Sequence, residues 1–495
     1  MNRSEQMQQE EARRWLAGLL AQRKLGFFDR LAARAQWRLG RLRDQWATLS
    51  RRGRRALGRK LAPALLGASL LATLVISAAP VHAAGITADG TVCTIIEAIE
   101  SAESDTAVGG CASGSGDDVI TMTADATLTA VQGYYSYGDT GLPSITTKIT
   151  VEGNGHVIER DSGAPDFRIL SVSYYGGDLT LNDVTISGGQ GTTGGGIYSF
   201  GTLTLNDSIV TGNYSSDSGG GIANFGTMTL NRSEVSYNST YAYSYGGGIL
   251  GYGTLIDSSV HHNTAGSGGG ISALNGFTLI NSTVSENEAT FRHGGGIFRG
   301  SSGSLTVTDS TIRDNSSYRS GAGIFVRYSG ISMTGSTISG NSSLFGNGGG
   351  LYLRAFGAAQ IANNTITANT VGFRGGGIYV NFPTNVDVED STITGNTAGF
   401  RGGGIFNNGT TDAIRSLISG NTADYEGDEV FTYNTNTFTG NNFNVFGQSG
   451  VDNAAAFYNF TPSGSDVTAT SNGNNPTPLA GILDPLADNG GPTLT

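Results

Sequence analysis

The chain has 495 residues, with 77 Gly, only 10 Pro, and a formal net charge of −11. Abundant Gly without matching Pro excludes a collagen-like chain. Residues 1–84 carry 16 Lys/Arg and 5 Asp/Glu (net +11), and the remainder carries 13 and 35 (net −22), with Lys148 its only Lys. Such an acidic surface repels phosphate backbones, which argues against nucleic acid as a partner.

Residues 1–60 form a basic, mostly helix-forming leader containing Trp15, Trp37 and Trp46. The run Arg51-Arg52-Gly53-Arg54-Arg55 and then Arg59-Lys60 meets an apolar block within segment 61–83. Val81-His82-Ala83 supplies small residues for a cleavage site, so the segment reads as a secretory signal. The alternative is an uncleaved transmembrane helix; Pro63, Gly67, Ser69 and Pro80 weaken that span. In either case the positive flank belongs on the cytoplasmic side.

Residues 84–116 are predicted to be an N-terminal cap. Cys93 and Cys111 are the only cysteines, and an exported chain favours their pairing as a disulfide. The loop of about 18 residues would contribute roughly 3 kcal/mol by chain entropy. Thr94-Ile95-Ile96-Glu97 is a capping box, and Ala98, Ile99 and Ala102 follow at helical spacing. A disulfide-pinned helix suits the open end of a solenoid, where strand edges need covering. There is no Cys-x-x-Cys, so zinc is not expected.

The span 117–421 repeats. Gly-Gly-Gly-Ile stands at Gly194, Gly219, Gly246, Gly268, Gly294, Gly375 and Gly402, with variants at Gly321 and Gly348. The spacings are 25, 27, 22, 26, 27, 27, 27 and 27, a period that signals a solenoid. Thr202-Leu203-Thr204-Leu205 alternates with period two, which predicts a strand with its leucines inward. The fold class is therefore all-β: a single-stranded right-handed parallel β-helix with a disulfide-linked cap. Ile197, Ile222, Ile249, Ile271, Ile297, Ile324, Leu351, Ile378 and Ile405 are expected to stack as one interior ladder. Asn213, Asn238, Asn263, Asn287, Asn315, Asn341, Asn369, Asn396 and Asn421 are expected to form a second, hydrogen-bonded ladder. Segment 422–495 reads as irregular coils and a polar tail.

Cys93-Thr94-Ile95-Ile96-Glu97-Ala98-Ile99 and Gly110-Cys111 resemble the N-terminal motif of bacterial secreted parallel β-helix proteins, with Ile96 in place of the usual Arg. The glycine repeats resemble those of polymorphic outer membrane proteins. Leu486-Ala487-Asp488-Asn489-Gly490-Gly491-Pro492 resembles the start of the choice-of-anchor Q region, which in that family continues further. The resemblance implies a pectin-lyase-like fold and export, and says little about activity.

Candidate chemistry lies beside the repeat. The residue after each interior position should face outward, giving an aromatic stripe of Phe298, Phe325, Tyr352, Tyr379 and Phe406. It reads as a platform for sugar rings or as a self-supporting stack. Phe373-Arg374 and Phe400-Arg401 keep one phase, and Phe291-Arg292-His293 sits similarly. Arg374 and Arg401 beside aromatics suit an acidic sugar or a packed turn. Asp424, Glu426, Asp428 and Glu429 are a candidate Ca²⁺ site at the point where the rhythm fails. Asp387, Glu389 and Asp390 read as a solvated strand face. No catalytic residue is assigned. The expected protein is secreted or on the cell surface (outer membrane or extracellular), and adhesive, glycan-binding or structural. Its partners would be a polysaccharide or a host or neighbouring cell surface. Membrane contact would come only through the N-terminal segment or an anchor beyond Thr495. The alternative is a polysaccharide lyase or glycoside hydrolase; the polygalacturonase-like series of acidic, His and Arg-Ile-Lys motifs is not found.

Overall fold

The Thr-Leu-Thr-Leu alternation becomes the strand Thr202–Asn206, with Leu203 and Leu205 fully buried. Its coil adds the short strands Ile197–Ser199, Ile209–Thr211 and Tyr214–Ser215. Each pairs in parallel with its counterpart one repeat later: Ile197 with Ile222, Leu205 with Leu230, Val210 with Val235 and Tyr214 with Ser239. A computed structural model describes residues 85–134, 138–440 and 443–483. The basic leader, the signal or membrane segment and the anchor-like tail from Leu486 lie outside the described residues. Stacked coils build three parallel sheets of 22, 14 and 10 strands.

The interior ladder forms as the period requires. All nine residues from Ile197 to Ile405 are fully buried and pair in register. The glycines before them are required for two different reasons. The first holds a left-handed backbone, φ +70° at Gly219, which disfavours a side chain. The third leaves no room: a Cβ on Gly221 would sit 2.9 Å from the Asn238 amide and 2.8 Å from the Gly248 carbonyl.

The asparagine ladder is hydrogen-bonded throughout. Asn341 donates its backbone N–H and its Nδ2 to Asn369 Oδ1, at 3.0 and 2.9 Å. Its own Oδ1 accepts both bonds from Asn315, and its Nδ2 also reaches the Ile312 carbonyl. The pattern runs from Asn213 to Asn421. A parallel ladder of small polar residues, Ser208 to Ser416 with Asn364 among them, ties backbone N–H groups to the next side chain.

Both ladders end on an acid. The Glu429 carboxylate accepts from Asn421 Nδ2 at 2.6 Å and from Gly420 N–H at 2.9 Å, taking the place of the next asparagine. Asp466 accepts from Asn444 N–H and Nδ2, both at 3.0 Å, at the end of the other ladder. The rhythm therefore fails at Glu429 because a ladder terminates there. Sheet pairing nevertheless continues through Val430–Thr432, Thr437–Gly440, Phe457–Tyr458 and Val467–Thr468.

At the other end, helix α1 (Ile95–Ser104) starts at Thr94, whose capping box is complete. Ile95, Ala98, Ile99 and Ala102 face inward, and the helix packs on the first strand, Gly85–Ala88. Cys93 and Cys111 form the expected disulfide, with Cα atoms 4.8 Å apart.

Candidate anion-binding face

The strands beginning at Ile297, Ile324, Leu351, Ile378, Ile405 and Val430 send the residue after the interior position to the outside of the coil. There the rings stack. Phe298, Phe325, Tyr352, Tyr379, Phe406, Phe431 and Tyr458 form one column, with centroids 4.4–5.4 Å apart and planes within 14°. The cause is geometric: the spacing of about 4.8 Å between coils is close to the stacking distance of aromatic rings. The stripe points away from the core, yet Phe325, Tyr379 and Phe406 retain only 5%, 7% and 1% exposure. Each inner ring has both faces against its neighbours, so what remains for a ligand is ring edge.

Arg374 and Arg401 cover this column from one side. Arg374 lies 5.1 Å from the Phe406 ring and 4.5 Å from the Phe373 ring; Arg401 lies 5.0 Å from Phe431 and 4.6 Å from Phe400. Each guanidinium is thus held between the inner column and an outer one of Phe373, Phe400 and Tyr425. Arg401 Nε is 2.8 Å from Glu426 Oε2, an ion pair bent away from hydrogen-bond geometry. Arg374 Nε is buried with no hydrogen-bond partner.

One coil set earlier, His293 stacks on Phe325 at 4.3 Å and accepts from Ser320 N–H. Burial first, then Arg319, Arg292 and Arg327, push its pKa down to about 4, so its ring is neutral at neutral pH. On the other flank Arg327 and Arg354 pair in register, and Arg354 is exposed. Asn381 follows, donating to Tyr352 Oη at 3.0 Å and accepting from Asn408 Nδ2 at 3.0 Å. Exposed aromatics border both flanks: Phe345, Phe373 and Tyr425 on the Arg374 side, Tyr328, Phe356 and Phe382 on the Arg354 side.

The arginines here differ from those elsewhere. Lys148, Arg232, Arg313 and Arg415 each hold a carboxylate partner on the remaining surface. Arg292, Arg319, Arg327, Arg354 and Arg374 have none among the described residues. In a chain whose charge is net −22 beyond residue 84, the uncompensated surface cations are collected on one face.

The expected Ca²⁺ group is not assembled. Asp424 is exposed, Glu426 meets Arg401, Asp428 accepts from Ala423 N–H at 2.8 Å, and Glu429 is buried under the asparagine ladder. Among the described residues no three His, Cys, Asp or Glu side chains gather as a metal site would. The strand-face acids separate too: Glu389 and Asp390 hold Arg415, whereas Asp387 lies in register with Asp412 on the next strand. Sequence reading missed Arg319, Arg327 and Arg354. The last two share one phase, three residues after the interior position in adjacent coils, which was the available signal.

A family profile described as "Right handed beta helix region" matches residues 217–366. With the parallel register, it makes the architecture a right-handed parallel β-helix. No curated protein matches the chain. Among solved structures, the Azotobacter vinelandii mannuronan C-5 epimerase AlgE6 A-module is similar at 13% identity and TM-score 0.45, covering 76% of this chain and 97% of that one. The AlgE4 A-module of the same organism is similar at 13% identity and TM-score 0.44, covering 70% and 95%.

Proposed function

We propose that this β-helix protein is exported and binds an acidic glycan along the arginine face, as a surface or extracellular adhesive element. The resemblance to choice-of-anchor Q and polymorphic outer membrane protein repeats supports the export part of this reading. The observation that carries the binding part is the set of five arginines without carboxylate partners on successive coils. Arg374, Arg327 and Arg292 contact aromatic rings and a tyrosine hydroxyl, and none of those contacts neutralises their charge. Such a set suits a ligand that brings its own anions, with aromatic ring edges, the positive rim of the quadrupole, adding to the attraction. Retention of the protein on immobilised acidic polysaccharides, and not on neutral ones, tests this. Retention should fall as salt rises, because exposed charge pairs are screened. Equal retention on neutral polysaccharide would defeat it.

A second reading, hydrolysis, draws on Asp387 and Asp412. They are neighbours across adjacent strands, and burial, with Asp412 and Glu389 adding to it, raises the Asp387 pKa. Retaining glycosidases use two carboxyls of unlike pKa about 5 Å apart. Release of reducing ends from a bound polysaccharide, abolished in Asp387→Asn, would establish this reading; intact polymer after long incubation would remove it.

A further inference from the structure

Two histidines meet at a coil corner on a different sheet. The strand Ser259–His261 belongs to the 14-stranded sheet, whereas the ring column lies on strands of the 22-stranded one. His262 then turns the chain, with φ +54°, into Asn263 of the buried ladder. The same corner is Gly212 two coils earlier and Gly340 three coils later, which leave it bare; Tyr237, His262, Glu286 and Asp314 fill the four coils between. The imidazoles of His261 and His262 keep 23% and 37% side-chain exposure, so an ion can reach them from solvent.

Both rings are held from behind. His261 Nε2 lies 3.2 Å from Glu234 Oε1, and His262 Nε2 lies 2.9 Å from Glu286 Oε2. Tyr237 stacks on His262 with centroids 4.7 Å apart and meets the His261 ring edge-on at 6.0 Å. An ionised carboxylate only accepts, so each Nε2 carries its ring's hydrogen. A neutral imidazole has one N–H, which leaves a lone pair on each Nδ1. These two Nδ1 atoms face each other at 2.9 Å. Moving either hydrogen to Nδ1 would set a bare Nε2 against a carboxylate oxygen. Two lone pairs at hydrogen-bond distance call for a cation between them. The surroundings favour one: three carboxylates, Glu234, Glu286 and Asp314, oppose the single guanidinium of Arg313.

We propose that His261 and His262 bind a copper(II) ion through their two Nδ1 atoms. Geometry selects the metal. At an imidazole–metal distance of about 2.0–2.1 Å, a 2.9 Å bite subtends roughly 90° at the ion. That is the angle between neighbouring ligands of a square-planar or tetragonal ion, whereas a tetrahedral zinc site would spread the nitrogens to about 3.3 Å. Imidazole suits copper, and copper heads the affinity order of the divalent series. Glu234 and Glu286 act as positioning residues: they fix each ring's tautomer and orientation and raise the basicity of the ligating nitrogen. Water fills the remaining positions of the ion. The site shares no residue with the arginine face, so it stands or falls independently of glycan binding.

Titration of untagged full-length protein with Cu²⁺ in a non-coordinating buffer, read by electron paramagnetic resonance, tests this. One equivalent should bind, with a signal split by two imidazole nitrogens. His261→Ala and His262→Ala should each lose the two-nitrogen pattern and bind more weakly, with circular dichroism checking that each is folded. Glu234→Gln, which keeps both rings, should retain the two-nitrogen pattern while weakening binding about tenfold, as loss of such a partner does. His156→Ala, a histidine paired with Asp125 elsewhere, should change nothing. Undiminished uptake after His261 and His262 are both replaced by Ala, or tighter binding of Zn²⁺ than of Cu²⁺, would overturn the assignment. No saturable uptake would overturn it too, leaving a shared proton as the cation between the rings.

Discussion

The asparagine ladder and the arginine face are built on the same coils, yet they treat polarity in opposite ways. Inside the turn, Asn341 has donors and acceptors paired above and below, and its side chain is inaccessible. Outside, on the same stack, Arg354 and Arg374 have no carboxylate partner among the described residues. A repeat satisfies its own interior, because each coil supplies what the next one lacks. Only departures from that economy point beyond the molecule, and those that leave charge unpaired cluster between Arg292 and Arg401.

Breaking the saturated side should have the largest effect. Asn341→Ala strips the acceptor from Asn315 N–H and Nδ2 and the donor from the Ile312 carbonyl, all buried. Leaving such groups unpaired costs about 1–3 kcal/mol each, so a loss on the order of 3 kcal/mol or more is expected, read as a lower urea midpoint. Replacing Cys93 and Cys111 together by Ser should cost roughly 3 kcal/mol, measured in the same way.

A pH-dependent effect belongs to Glu429. Burial pushes its pKa up to about 8 from an ordinary 4.5. Between those values the folded chain holds a proton that the unfolded chain has released, so stability is complete at low pH and falls as pH rises toward 8. The slope is at most about 1.4 kcal/mol per pH unit. Unfolding midpoints measured at pH 5 and pH 8 should therefore converge in Glu429→Gln. A variant that keeps the wild-type pH slope would remove Glu429 as its source. The smallest stability effect should come from the unsaturated side: Arg354→Gln is expected to shift the midpoint by less than about 0.5 kcal/mol, as exposed substitutions do.

Much of the interior was readable from period alone. The Ile and Asn columns follow from spacing, because a solenoid turns sequence repeats into spatial neighbours. The outer face was harder to read. Alternation places Phe325 and Tyr379 outside, but it does not show the burial they gain by stacking on either side of Tyr352. Arg327 and Arg354 gain meaning only once the absence of nearby carboxylates is known, and that is a property of three-dimensional neighbours. Asp424, Glu426, Asp428 and Glu429 look like one group in sequence, but a turn sends adjacent side chains to opposite sides of the coil wall. Glu429 thus ends a buried ladder while Glu426 meets Arg401.

The contrast between the two regions can be measured directly by arginine-selective chemical modification read by mass spectrometry, with and without a saturating acidic polysaccharide. The account expects Arg292, Arg319, Arg327, Arg354 and Arg374 to become protected while Arg232, Arg313 and Arg415, each already paired with a carboxylate, change little. Protection of the paired arginines, or no protection at the five unpaired ones while the polymer is bound, would contradict it.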